Sequence, residues 1–154
     1  MTLLSEKLSS FISEKNIVMD LDAHTQDEAI EQLSEILKKN GNISSTEGFY
    51  EDVLKRESMT TTGIGKNIAI PHGKSESVTD TTMMFAKNKT PLEWNSLDGS
   101  KVNIIFLMAV SPATQGNEHL KMLANLSGRL MDDDFVSAIK KAKTTEEILN
   151  LIKE

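Results

Sequence analysis

An α/β fold, with one sheet flanked by helices in a single domain, is predicted by three features of the chain. The segment Val102 to Val110 is almost continuously apolar, as in a strand covered on both faces. Helical periods with clear start signals stand on either side of it. Strand and helix patterns alternate along all 154 residues, with no linker, repeat or low-complexity stretch to divide them.

Thr25-Gln26-Asp27-Glu28 has the spacing of a capping box, and Ala29, Ile30, Leu33, Ile36 and Leu37 follow at helical intervals until Gly41 ends the run. A second helix starts near Ser45, carries Phe49, Val53 and Leu54 on one face, and reaches Arg56 near its C-terminal end. Ile68 to Ile70 and Thr81 to Ala86 read as short strands. Leu97-Asp98-Gly99-Ser100 forms the turn before the long apolar strand. From Asn117, a candidate N-cap, the pattern is helical, with Leu120, Leu123, Leu126, Ser127 and Leu130 on the expected buried face. Val136 and Ile139 mark a short helix after Asp132-Asp133-Asp134. Thr144 to Glu147 repeats the capping-box spacing before a last helix bearing Ile148, Leu149, Leu151 and Ile152.

Composition excludes several classes of function. The chain has no cysteine, which removes disulfide frameworks, thiolate metal sites and thiol nucleophiles. Its net charge of −6 argues against a nucleic-acid binder and favours basic protein partners. The first residues lack the pattern of a signal peptide, and no apolar run approaches the roughly 20 residues of a membrane span. A soluble, cytoplasmic protein is expected. Gly63-Ile64-Gly65-Lys66 fails as a P-loop, because Thr60 and Asn67 stand where glycine and a hydroxyl residue are required. It fails as a dinucleotide fingerprint too, since Ile68 replaces the third glycine. These glycines are expected to form a turn that leaves clearance for a docking partner.

Three histidines remain. His24 lies in a polar segment before a helix cap and is expected to be solvated. His72 follows Pro71 and precedes Gly73, so a φ-locked residue and a residue without a side chain hold an imidazole rigidly at the surface. His119 falls in the first turn of a helix, beside backbone N–H groups that favour an anion; taken alone it reads equally well as a half-exposed histidine beside the apolar face. With no His-Glu-x-x-His spacing and no Gly-x-Ser-x-Gly elbow, neither a metal nor a cofactor is expected. Phosphoryl transfer fits these residues. A neutral imidazole is nucleophilic near pH 7, and its phosphoryl adduct gives the group up again. Arg56 and His119 are the candidates to balance the charge.

Arg56-Glu57, Thr62-Gly63-Ile64-Gly65, Ile68 to Lys74, Trp94 to Gly99 and Glu118-His119-Leu120 together form a specific pattern. In it the chain, over essentially its whole length, resembles the enzyme IIA proteins of the bacterial sugar phosphotransferase system, in the fructose–mannitol family. The resemblance implies a mixed β-sheet with helices on both faces. It implies that His72 is phosphorylated by the phosphocarrier protein HPr and passes the group to a cysteine of enzyme IIB, on a separate polypeptide, which serves the membrane enzyme IIC. His119 would hydrogen-bond the phosphoryl group and Arg56 would compensate its charge. A regulatory role like that of the nitrogen-related branch is the alternative. Asn67 departs from the pattern, standing where glycine is common.

Overall fold

The computed structural model describes residues 10–113 and 118–153, and the side chains of Glu118 and His119 lie outside the described set. A 3-10 turn at Glu14–Asn16 leads into β1 (Ile17–Leu21), then α1 (Gln26–Lys39) and α2 (Thr46–Met59). Three short strands follow, β2 (Gly63–Gly65), β3 (Ile68–Ala69) and β4 (His72–Lys74), and then the long β5 (Thr82–Leu92) and β6 (Val102–Val110). The chain closes with α3 (Glu118–Leu130), α4 (Asp133–Lys141) and α5 (Thr145–Lys153).

The six strands make one mixed sheet in the order β1-β5-β6-β3-β2, with β4 also paired to β6. β5 and β6 are antiparallel, while β1 on β5 and β3 and β4 on β6 are parallel. Period-two alternation divides β6 between two cores. Ile104, Phe106 and Met108 pack with Met122, Leu126 and Ile139 of α3 and α4. Ile105, Leu107 and Ala109 pack with Leu33, Leu37, Phe49 and Val53 of α1 and α2. The central strand is therefore apolar at nearly every position because each face has its own helical layer, each fully buried aliphatic side chain contributing about 1.5–3 kcal/mol.

The predicted helix starts at Thr25, Ser45 and Thr144 are present, with one variation. Thr25 Oγ1 accepts the N–H of Glu28 at 3.1 Å, but the Glu28 carboxylate reaches the N–H of His24, not of Thr25. Thr144 and Glu147 repeat this, with Lys143 N–H as the donor to the acid. Gly41 ends α1 at φ +83°. His24 is exposed, as expected, and its ring meets only Glu28 among the contacts described.

Other expectations are corrected. β1, β2 and β4 were not anticipated, and β5 extends beyond Ala86 to Leu92, past an irregularity that lets Pro91 sit near its end. On α3 the buried positions are Met122, Leu126 and Leu130. Leu120 is 51% exposed and Ser127 half-buried, because the side of α3 packed into the core is the one that carries Met122, Leu126 and Leu130. Asn117 lies outside the described residues. The glycine turn also differs in purpose. A Cβ on Gly63 would lie 2.5 Å from Ser96 Oγ, and one on Gly65, at φ +105°, would lie 2.8 Å from the Asp98 carboxylate. The clearance serves the chain's own 94–99 loop. Lys66 and Asn67, at φ 58° and 69°, form the two-residue hairpin turn between β2 and β3, so asparagine does accept the left-handed conformation. Asn67 also donates to the Lys101 carbonyl and accepts from Lys140 Nζ, contacts that a glycine could not make.

Candidate functional site

β3 and β4 are one strand interrupted. Ile68 pairs with Ile104 and His72 with Met108, the same offset along β6, so register is kept across Ile70-Pro71. Pro71 has no N–H to offer, but its carbonyl still accepts the N–H of Met108 at 3.0 Å. Ile70 N–H turns the other way, to the carbonyl of Thr62 at 3.0 Å. This break ends the pairing with β2 and leaves the outer edge of β4 to α2. Gly73 makes that approach possible, since a Cβ there would stand 2.8 Å from Val53 Cγ2.

Alternation along the strand places the half-buried His72 on the side of Ile68 and Ile70, and its ring lines a cavity of about 410 Å³. Three elements form the walls: His72, Lys74 and Met108 from the sheet, Lys55, Arg56 and Met59 from α2, and Leu120 and Leu123 from α3. Against Asp52 stand Lys55, Arg56 and Lys74, so the cavity is locally cationic in a chain of net charge −6. The first turn of α3 adds the positive end of a helix dipole. Arg56 is half-buried in the last turn of α2, its Nη1 donating to the carbonyl of Thr60 at 3.1 Å.

A hydrogen bond to the backbone selects the tautomer of His72. Nδ1 lies 3.1 Å from the carbonyl oxygen of Ile70. A carbonyl only accepts, so Nδ1 carries the proton and the lone pair of the neutral ring belongs to Nε2. Nε2 is thereby the ring nitrogen whose lone pair could serve as a nucleophile.

Of the three residues the sequence singles out, His72 and Arg56 come together on one cavity. His119 is placed by its backbone in the first turn of α3, the turn that carries Leu120 to the cavity, and its ring lies outside the described set. Sequence reasoning gave no role to Glu57, Thr62 and Trp94. The Glu57 carboxylate accepts both the N–H (2.8 Å) and the hydroxyl (2.7 Å) of Thr62, and buried Trp94 Nε1 donates to that hydroxyl at 3.2 Å. A signal was present: Glu57 is an acid in the last turn of a helix, where the dipole disfavours negative charge, so another contact must hold it.

Residues 10–154 match the family described as phosphoenolpyruvate-dependent sugar phosphotransferase system, EIIA 2, and the chain belongs to it. It is 37% identical over 129 residues to the PTS system 2-O-alpha-mannosyl-D-glycerate-specific EIIABC component of Escherichia coli (strain K12), a match covering 83% of this chain and 20% of that protein. The chain thus spans only about a fifth of that relative's length. Identity to a nitrogen regulatory protein of Klebsiella oxytoca is 32% over 149 residues, covering 96% of this chain and 91% of that protein. The crystal structure of IIA mannitol from Escherichia coli has the same fold, with a TM-score of 0.76 at 26% identity, over 92% of this chain and 98% of that one. Among the described residues, no helix is long and apolar enough to cross a membrane.

Proposed function

We propose that this chain is the cytoplasmic phosphocarrier of a sugar phosphotransferase system, with His72 as the residue that is phosphorylated and residues 1–154 acting as one domain. The observation that carries this reading is the hydrogen bond from His72 Nδ1 to the Ile70 carbonyl, which leaves Nε2 as the attacking atom. The Nε2 lone pair attacks phosphorus of phospho-HPr, the donor's P–N bond breaks, and the donor imidazole recovers its lone pair. In the onward step a cysteine thiolate of enzyme IIB attacks, the Nε2–P bond breaks, and His72 returns to its neutral form. Membrane enzyme IIC is then served indirectly. The phosphoryl group brings close to two negative charges. Arg56 is the charge-compensating residue in this reading, and the ring of His119 donates a hydrogen bond to a phosphoryl oxygen.

The test is incubation with phosphoenolpyruvate, enzyme I and HPr, followed by intact mass and acid-lability measurements. Wild type gains one acid-labile phosphate and His72→Ala gains none. Equal labelling of the two would refute the assignment. A regulatory role is the second reading, favoured by the match along nearly the full length of the nitrogen regulatory relative. The two readings separate on the acceptor. Transfer to a purified enzyme IIB supports transport, whereas stable phosphorylation with phosphate-dependent binding of another protein supports regulation.

A further inference from the structure

We propose that Glu57 is a positioning residue for His72, acting through Thr62 and Ile70 to hold the imidazole in its Nδ1–H tautomer. The inference rests on the reading of His72 as the phosphoryl acceptor. Five hydrogen bonds make the path. Glu57 accepts two short hydrogen bonds from Thr62, at 2.8 and 2.7 Å. Trp94 Nε1–H donates into the Thr62 hydroxyl, which orients the hydroxyl proton toward the carboxylate. The Thr62 carbonyl accepts Ile70 N–H at 3.0 Å. The Ile70 carbonyl, on the far side of the same residue, accepts His72 Nδ1–H at 3.1 Å.

The coupling is mechanical. The N–H and C=O of Ile70 belong to different peptide units, so charge is not relayed through bonds; orientation is. On its β6 side the strand is secured after the break by the Pro71 carbonyl, whereas the N–H of Ile70 is tied to Thr62. The Ile70 carbonyl therefore keeps its direction because Thr62 keeps its place. Thr62 is held from two sides, by a carboxylate and a buried indole. If Thr62 shifts, Ile70 shifts with it, and because Pro71 has a fixed φ the Ile70-Pro71 peptide moves as one piece and carries the acceptor for Nδ1 out of place. Histidine in water prefers the Nε2–H tautomer, which would put the proton on the atom that must attack. Glu57 also adjoins Arg56 in the last turn of α2, so the same carboxylate fixes the helix end that carries the arginine to the cavity.

The experiment compares the full chain with Glu57→Ala. The first readout is long-range 1H–15N correlation of the His72 ring in the unphosphorylated protein above pH 8, where both tautomers are distinguishable. The second is phosphorylation by purified phospho-HPr, resolved into a limiting rate and a half-saturating concentration. Wild type is expected to show the Nδ1–H tautomer. The variant should shift toward Nε2–H and lose roughly 10- to 100-fold in limiting rate, as misplacement of a reacting group does, with its half-saturating concentration unchanged. Retention of the Nδ1–H tautomer in the variant overturns the proposal, whatever the rate does. Should Glu57→Ala fail to fold, Thr62→Val removes the hydroxyl at nearly constant shape and is judged by the same two readouts, with Thr62→Ser expected to restore them. The tautomer is measured without phosphate. A wild-type chain that takes no label therefore refutes the carrier reading, while the tautomer comparison still decides the role of Glu57.

Discussion

Gly73→Ala should loosen the joint between α2 and the strand that presents His72. The added methyl would lie 2.8 Å from Val53 Cγ2, about 1 Å inside the ~3.5–4.0 Å of an ordinary carbon contact. Phe49 Cε1 and Val53 N, each at 3.4 Å, close the other directions. Val53 and Phe49 are fully buried, so neither can swing aside into solvent. The helix must move. Overpacking of this kind costs ~1–3 kcal/mol. Replacing a strand glycine by alanine offsets this by ~0.5–1 kcal/mol. A net loss of about 1–2 kcal/mol is expected in urea unfolding followed by circular dichroism. Val53→Ala alone should cost about 2 kcal/mol. In the double variant the new methyl occupies the space vacated, so the combined loss should fall short of the sum by about 1 kcal/mol. The displaced helix also carries Arg56, and labelling of His72 should slow by up to roughly 100-fold for each ångström of misplacement. A neutral or stabilising Gly73→Ala, or strict additivity with Val53→Ala, would refute the reasoning.

Three further outcomes are expected. Arg56→Lys keeps the charge but not the planar fork, and should restore only part of the phosphorylation rate lost in Arg56→Ala, by stopped-flow or quenched labelling. Asn67→Ala places a side chain without local hydrogen bonds at φ 69° and removes two contacts, so it should destabilise by about 1–2 kcal/mol in thermal or urea unfolding. The hydroxyl and N–H of Ser100, with Lys66 N–H, hold the Asp98 carboxyl below its ordinary range, and Lys143 N–H with Thr144 does the same for Glu147. Because both folded values lie below the unfolded ones, their contribution is complete above the ordinary carboxylate range and is lost as pH falls through the folded values. Urea midpoints measured from pH 7 to pH 3 should therefore drop more steeply in wild type than in an Asp98→Asn, Glu147→Gln double variant.

What could be read in the chain follows how local its cause is. β6 was legible because burial on both faces leaves nine consecutive residues almost no polar choice, and α1 and α5 because a capping threonine and a glutamate three residues on are contiguous in sequence. β4 was not. His72-Gly73-Lys74 has no strand pattern of its own and becomes a strand only through its register with Met108 to Val110, thirty-six residues away in the chain. β2 is two glycines around Ile64, shaped by Ser96 and Asp98 from a distant loop. On α3, Leu120 and Met122 each fit a helical stripe ending at Leu126 and Leu130, and only the position of the cavity decides between them. The same division holds at the site. Pro71 and Gly73 announce a presented imidazole from adjacent residues. The tautomer depends on where the Ile70 carbonyl points, and that depends on Thr62 and Glu57, whose hydrogen bonds no periodicity encodes.

Trp94 is the only tryptophan in the chain, it is 1% exposed, and its indole N–H ends on the Thr62 hydroxyl. The molecule therefore contains its own optical reporter, three hydrogen bonds away from the imidazole and with no second indole to dilute the signal. Its emission reports on Thr62, whose hydroxyl bonds Glu57 and whose carbonyl bonds Ile70, so a displacement of α2 or of the strand that presents His72 should be readable in the unlabelled protein from one buried chromophore.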